Sequence, residues 1–202
     1  KSKCIYNPFY KAKLNVNSNK YLFQKKSLKI LSIGRLTKQK DHMTLLKAAK
    51  LINPAVKPEL IIIGKGKEYI NLKNFIISNH LQKIVKLVGY KVDGYNFIKK
   101  CDIFVLTSKY EGLPNVLLEA QFFKKYIISS NCPTGPKEIL LNGKAGDLFK
   151  MGDYKKLAEY INNYKSNIKK IRKKINYGSN MFYRFDYNFN CRKYYKFILE
   201  NF

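Results

Sequence analysis

The sequence predicts an open, doubly wound α/β fold: a Rossmann-like parallel sheet flanked by helices on both faces. Three observations carry the prediction. Five short runs of mostly branched apolar residues recur between residues 28 and 130. The runs are near-continuous rather than alternating, as in strands covered on both faces. Segments of helical period separate them at the spacing of βαβ units, whose crossovers build parallel sheets. With 202 residues, 46% of them apolar and 14% aromatic, the chain can bury one good core around such a sheet.

The elements follow in order. Residues 1–27 read as a hinge segment, 28–177 as the Rossmann-like domain and 178–202 as an aromatic tail. Leu28–Ile33 (LKILSI), closed by Gly34, is the first strand. Residues 41–52 form a helix with Met43, Leu45, Leu46 and Ala49 on one stripe and Asp41 as its N-cap. Residues 59–64 (ELIIIG), 84–89 (IVKLVG), 101–107 (CDIFVLT) and Tyr126–Ser130 (YIISS) are the further strands. Residues 67–79, 93–100 and 114–123 are the helices between them. Pro114 suits a first helical turn, where its missing N–H costs nothing. Beyond Gly152 the reading is helical, over 154–164 and 167–177. The second of these carries KKIRKK, most simply a solvated face. The tail, 187–202, reads as a last amphipathic helix whose Phe189, Tyr194, Tyr195 and Phe197 need a surface to cover.

The net charge of +27 raises the question of nucleic acid or an anionic membrane. Almost all of it is lysine, with only four arginines, and Asn, Ile and Tyr are abundant too. That pattern reads as compositional drift, and the arginines that read bases bidentately are missing, so nucleic acid is not an expected partner. A weak attraction to acidic lipid survives. The four cysteines are scattered without a C-x-x-C pair, which suits a reducing cytoplasm and gives no disulfide framework or zinc site. His42 and His80 lack partners at metal-ligand spacing and read as structural or surface residues. No apolar run approaches the roughly 18 residues of a membrane span, and the first residues, KSKCIYNPF, lack an apolar signal core. The expected place is therefore the cytoplasm, with at most peripheral contact with its membrane.

Ligands of open α/β sheets bind beyond the carboxyl ends of the strands. Functional residues are therefore expected just after Ile33, Ile63, Val88, Leu106 and Ser130. After the first strand, GRLTKQKD places Arg35, Lys38 and Lys40 over the sheet end, a setting for a multiply charged anion. Lys38 is discounted in so lysine-rich a chain; Arg35, one of only four arginines, is not. After the second strand, GKGKEY lacks a third glycine and makes a weak dinucleotide fingerprint, so it reads as a tight turn near the ligand. After the fourth, KYEGLPNVLLEA sets Glu111 before a helix and Glu119 inside it, with Gly112 allowing close backbone approach. Carboxylates are poor phosphate partners but accept hydrogen bonds from sugar hydroxyls well. Phosphate at the centre and a hydroxyl-rich group at each end is the layout of a nucleotide sugar.

Three motifs together, GR-x4-K in GRLTKQK, E-x7-E in EGLPNVLLEA, and CPTGPKEIL, resemble the carboxy-terminal, donor-binding domain of family 4 retaining glycosyltransferases, which have the GT-B fold. IYNPF is similar to the hinge by which that domain begins, and the resemblance runs to about Tyr164. It implies that Arg35 and Lys40 hold the donor diphosphate and stabilise the leaving phosphate. It implies that Glu119 holds the ribose, and that Glu111, with the backbone of Gly112, Leu113, Pro114, Asn115 and Val116, meets the donor sugar and phosphate. Gly34 belongs to the phosphate loop. Tyr90 falls where the family meets the nucleobase through its backbone. Thr134, Gly135 and Glu138 line the cleft, Glu138 being equally placed to cap its own short helix. The resemblance implies a UDP-sugar donor, no metal or other cofactor, and hexose or N-acetylhexosamine transfer in surface-polysaccharide assembly. It also implies an amino-terminal acceptor-binding domain as partner, in cis or in trans, without which the chain catalyses little. Two readings stay beside it: a basic module for nucleic acid or anionic membrane, and a nucleotide-sugar epimerase-like domain.

Overall fold

The structure, a computed structural model, describes residues 5, 6, 9, 23, 24 and 26–201. Most of the hinge segment 1–27, with Cys4, lies outside the described residues, as does Phe202. Six parallel strands form one sheet in the order β3-β2-β1-β4-β5-β6. They are β1 Leu28–Ile33, β2 Pro58–Ile63, β3 Val85–Leu87, β4 Ile103–Leu106, β5 Tyr126–Ser130 and β6 Asp147–Phe149. The helices are α1 His42–Ala49, α2 Tyr69–Ser78, α3 Gly94–Lys100, α4 Asn115–Phe122, α5 Gly135–Ile139, α6 Tyr154–Asn162, α7 Ile168–Asn180 and α8 Tyr187–Asn201. The chain builds β1 to β3 outward, then returns to lay β4 on the other side of β1. The strand order reverses there, and a crevice opens between the loops that leave β1 and β4.

Near-continuous apolar strands work because alternate side chains serve two cores. Leu28, Ile30, Leu60, Ile62, Ile103, Val105 and Ile128 point to one face, under α1, α2, α6 and Ile171 of α7. Leu31, Ile61, Ile63, Phe104, Leu106 and Ile127 point to the other, under α3, α4, Ile139 of α5 and Phe185. Each face is dry, so neither could be polar, and the period-2 signal of a half-exposed strand vanishes.

Several expectations need correction. The sixth strand, DLF, is too short for an apolar run, and a hydrogen bond from Tyr126 Oη (2.6 Å) and an ion pair from Lys174 (2.6 Å) hold its Asp147. Asp41 does not cap α1 through its side chain: it is left-handed (φ 46°), and its carboxylate accepts the Thr44 hydroxyl at 2.8 Å instead. The buried stripe of α1 comprises His42, Thr44, Leu45, Leu46, Ala48 and Ala49, with Met43 only half-buried. Pro114 sits at the N-cap position of α4 rather than inside its first turn. In KKIRKK, Lys169, Lys170, Arg172 and Lys173 are exposed as expected, but Ile171 is buried and Lys174 turns inward to Asp147. α7 runs on to Asn180, past residue 177, and a 3-10 turn over Met181–Phe185 leads into α8.

α8 anchors through a fully buried Asn190, whose amide donates to the carbonyls of Arg184 (2.7 Å) and Asp186 (2.9 Å). Tyr194 reaches back to the carbonyl of Ile5 at 3.4 Å. The outward side of the helix stays apolar and bare: Tyr195 is 67% and Leu199 65% exposed. Among the described residues, no helix is long and apolar enough to cross a membrane.

Candidate functional site

The loops beyond the carboxyl ends of the strands are laced together through the backbone. Gly34 donates to Ile63 (3.0 Å), Leu36 to Lys65 (2.8 Å) and Gly64 to Gly89 (2.9 Å), so the loops after β1, β2 and β3 form one layer. This layering is why GKGKEY carries glycines. A Cβ on Gly64 would lie 1.9 Å from the Gly34 carbonyl oxygen, and one on Gly66 would lie 2.2 Å from that of Leu36. The two residues are there for close packing of loop on loop, a role the dinucleotide motif obscures.

On the other side of the crevice, the loop after β4 is pinned to the segment after β5. Glu111 donates its N–H to Pro133 (2.7 Å), Thr134 to Glu111 (2.7 Å) and Gly135 to Gly112 (2.9 Å). A Cβ on Gly135 would meet the Gly112 carbonyl oxygen at 1.9 Å, whereas one on Gly112 would meet nothing within 4 Å. Gly112 thus faces open space, and Gly135 is the position that demands glycine. Thr134 and Gly135 hold the Glu111 loop in place. Glu138 does not cap α5: the helix starts at Gly135 with Thr134 as N-cap and no side-chain cap, and the Glu138 carboxylate accepts the hydroxyl of Tyr6.

Residues 71 apart in sequence meet across the crevice. Lys40 Nζ lies 2.5 Å from Glu111 Oε1, both side chains largely buried. The Ser108 hydroxyl donates to the same oxygen at 2.6 Å. Thr107 donates to the Lys40 carbonyl at 2.8 Å, and Lys109 N–H to that of Gln39 at 2.8 Å, tying the loop after β1 to that after β4. Arg35 is exposed and makes no ion pair with any described residue. Lys38 is exposed likewise. No side chain caps α4, so the N–H groups of its first turn are open to an acceptor from the crevice. Asn115 there is exposed, while Leu113 and Val116 are half-buried against the core and can offer only backbone.

Glu119 lies one turn into α4 and is half-buried. Burial pushes its carboxyl above the usual range, and a hydrogen bond with Tyr95 from α3 partly opposes that rise. Burial together with Glu119 raises the Tyr95 phenol in turn. Tyr95 and Ser108 went unrecognised in the sequence, because one lies on a neighbouring helix and the other is a serine among polar loop residues. Tyr90 is 61% exposed, with Lys65 Nζ 5.9 Å from its ring centre. Beside it a cavity of about 480 Å³ opens between Gly64, Lys65, Gly66, Tyr69, Leu87, Val88 and Gly89.

His42 lies beneath the loop after β1. Burial, with Lys40 adding to it, lowers its imidazole to about 4, so it is neutral at ordinary pH. Its Nδ1 is 3.5 Å from Ser32 Oγ, and its buried Nε2 has no partner among the described residues. Of the two readings its isolation in the sequence left open, structural or surface, the surface one does not hold, since His42 is buried. Among the described residues, no three His, Cys, Asp or Glu side chains gather as metal ligands would.

Set against known proteins, the chain matches a family model described as glycosyl transferases group 1 over residues 15–181. An uncharacterised glycosyltransferase of Methanocaldococcus jannaschii is 35% identical over 147 residues, 69% of this chain and 36% of that protein. A Campylobacter jejuni enzyme, N-acetylgalactosamine-N,N'-diacetylbacillosaminyl-diphospho-undecaprenol 4-alpha-N-acetylgalactosaminyltransferase, is 31% identical over 117 residues, 58% of this chain and 32% of the enzyme. The chain thus spans about a third of the length of these curated relatives. Among solved structures, Anabaena Alr3699/HepE in complex with UDP superposes with a TM-score of 0.80 at 21% identity, over 87% of this chain and 49% of that one. The shared fold is the Rossmann-like half of the GT-B architecture.

Proposed function

The chain belongs to the group 1 glycosyltransferases, and from that premise we propose that it is the donor-binding half of a retaining enzyme that uses a UDP-sugar. The observation that carries this reading is the meeting of Lys40 and Glu111 at the point where the strand order reverses. A cation and a carboxylate held side by side suit a donor whose diphosphate and hexose are themselves adjacent. Arg35 and the remaining N–H donors of Lys40 take the diphosphate, with the open start of α4 as a further anion site. As the glycosidic bond breaks, negative charge grows on the leaving phosphate, and these groups stabilise it more than they stabilise the bound donor. They supply the positive charge that a metal provides elsewhere, so the reading needs none.

Glu119 takes the ribose hydroxyls and Glu111 those of the hexose. Its raised affinity for protons suits Glu119 to a hydrogen-bonded role in a shielded pocket. The cavity beside Tyr90 has the place and apolar floor for the nucleobase. The acceptor would come from an amino-terminal domain, in cis or in trans, and would be a lipid-linked or surface-polysaccharide glycan, as the Campylobacter relative's name suggests. Work on such an acceptor places the protein at the cytoplasmic face of a membrane. The exposed Lys169, Lys170, Arg172 and Lys173 of α7 support peripheral contact with anionic lipid there.

The test is a thermal-shift panel of UDP-, GDP- and ADP-sugars, with chelator and with Mg²⁺. A UDP-sugar is expected to raise the melting temperature most, chelator or not. A GDP- or ADP-sugar that stabilised at least as well would overturn the donor assignment. A strict Mg²⁺ requirement would overturn the proposed use of cationic side chains.

A further inference from the structure

We propose that Ser108 is a positioning residue that aims the Glu111 carboxylate at the donor sugar, a role that rests on the donor-site reading above. Ser108 lies two residues beyond the end of β4 and is fully buried. Its hydroxyl and the Lys40 ammonium both donate to Oε1 of Glu111, at 2.6 and 2.5 Å. Oε2 receives no hydrogen bond from the described residues. A carboxylate offers about four lone-pair sites over its two oxygens. Here both internal donors crowd onto one oxygen and the other keeps its capacity for a ligand.

Lys40 alone could not impose this. An ammonium on a flexible stem is a rotatable point charge, which sets a distance rather than an orientation. The second donor, coming from a different direction, stops the carboxylate turning about its own bond. Ser108 is itself held: its carbonyl accepts the hydroxyl of Ser130, buried at the end of β5, at 2.6 Å. Next to it, Thr107 fixes the Lys40 backbone at 2.8 Å. Three hydroxyls at the ends of β4 and β5 thus set both members of the pair. A hydroxyl-binding carboxylate needs such support, because a site loose by a fraction of an ångström loses most of its preorganisation.

The test compares UDP with UDP-galactose and UDP-N-acetylglucosamine by calorimetry, in the chain and in Ser108→Ala. UDP affinity is expected to stay within about twofold, while the preferred UDP-sugar loses about five- to twentyfold, less than the loss of a direct charge-assisted hydrogen bond because Ser108 acts through Glu111. Ser108→Cys keeps the side chain's place with a weaker donor; it should fall between the two, and it carries the test if the alanine variant does not fold. Equal loss for UDP and UDP-sugar, or no loss for either, overturns the positioning role while leaving the donor site standing. A parent chain that binds none of the three ligands would sink the donor-site reading and this role with it.

Discussion

The crevice between the β1 and β4 loops and the outward face of α8 distribute polar and apolar groups in opposite ways. In the crevice, lysine, glutamate, serine and threonine are buried or half-buried and bonded to one another across 71 residues of chain. On α8, Tyr195, Ile198 and Leu199, at i, i+3 and i+4, stand on one exposed strip beside Arg192 and Lys196. A buried polar group costs stability unless it is bonded, and these side chains fix one another within the fold. An exposed apolar strip gains nothing from this chain's own core, so that face of α8 contributes surface rather than stability.

The largest effect should come from breaking the joint between the loops after β4 and β5. Gly135→Ala places a Cβ against the Gly112 carbonyl and should destabilise the fold by about 3 kcal/mol, lowering the melting temperature by roughly 10 °C. Gly112→Ala, with open space around it, should cost less than about 1 kcal/mol and act instead on donor affinity. Calorimetric melting of the pair checks this. Similar losses in the two variants would mean that the loops after β4 and β5 are less tightly joined than their hydrogen bonds imply.

Acid should attack the crevice side next. The unfolded chain's imidazole takes up a proton near pH 6.5, whereas folded His42 does so only near pH 4. Between those values the unfolded state binds more protons, so stability falls as pH is lowered, by on the order of 3 kcal/mol in all. His42→Asn should be less stable than the parent at pH 7, with the gap closing by pH 4.5. Urea midpoints at the two pH values would show it. A gap that stayed constant would mean that folding leaves the His42 imidazole unshifted from its unfolded value.

The two cations should differ. Lys40→Ala and Arg35→Ala are each expected to weaken UDP binding by about 1.5–3 kcal/mol. Lys40→Ala should also lower stability by about 1–2 kcal/mol, since it leaves the Glu111 carboxylate without its ion-pair partner. Arg35, exposed and unpaired among the described residues, should leave melting unchanged. Titration and melting of both variants separate the roles, and an equal stability loss would remove the distinction.

Smallest of all should be Tyr195→Ser with Leu199→Ser. On a face this exposed the double change should stay within about 0.5 kcal/mol and reduce any self-association seen by light scattering. A drop in melting temperature of several degrees would show that the strip is covered in solution and that α8 belongs with the core.

The sheet was legible because its cause is local. Branched apolar runs at 28–33, 59–64 and 126–130 must be buried on both faces, and strands spaced by helical segments close in only one hand. From that alone followed the edge of the sheet at which Arg35, Lys40, Glu111 and Glu119 stand. β6 was not legible, because three residues containing Asp147 carry no period, and Tyr126 and Lys174 hold that aspartate from elsewhere in the fold. Nor was the left-handed Asp41 conformation, in which the N–H donates to the Thr37 carbonyl and the carboxylate accepts from Thr44, against the usual N-cap preference. Side-chain pairing across the crevice was likewise out of reach. Lys40 meets Glu111 because β4 returns to lie beside β1, and Glu119 is shielded because α3 brings Tyr95 over it. Residue types and spacing specify which groups reach the carboxyl edge; which of them touch depends on strand order, a property of the folded sheet that no local period encodes.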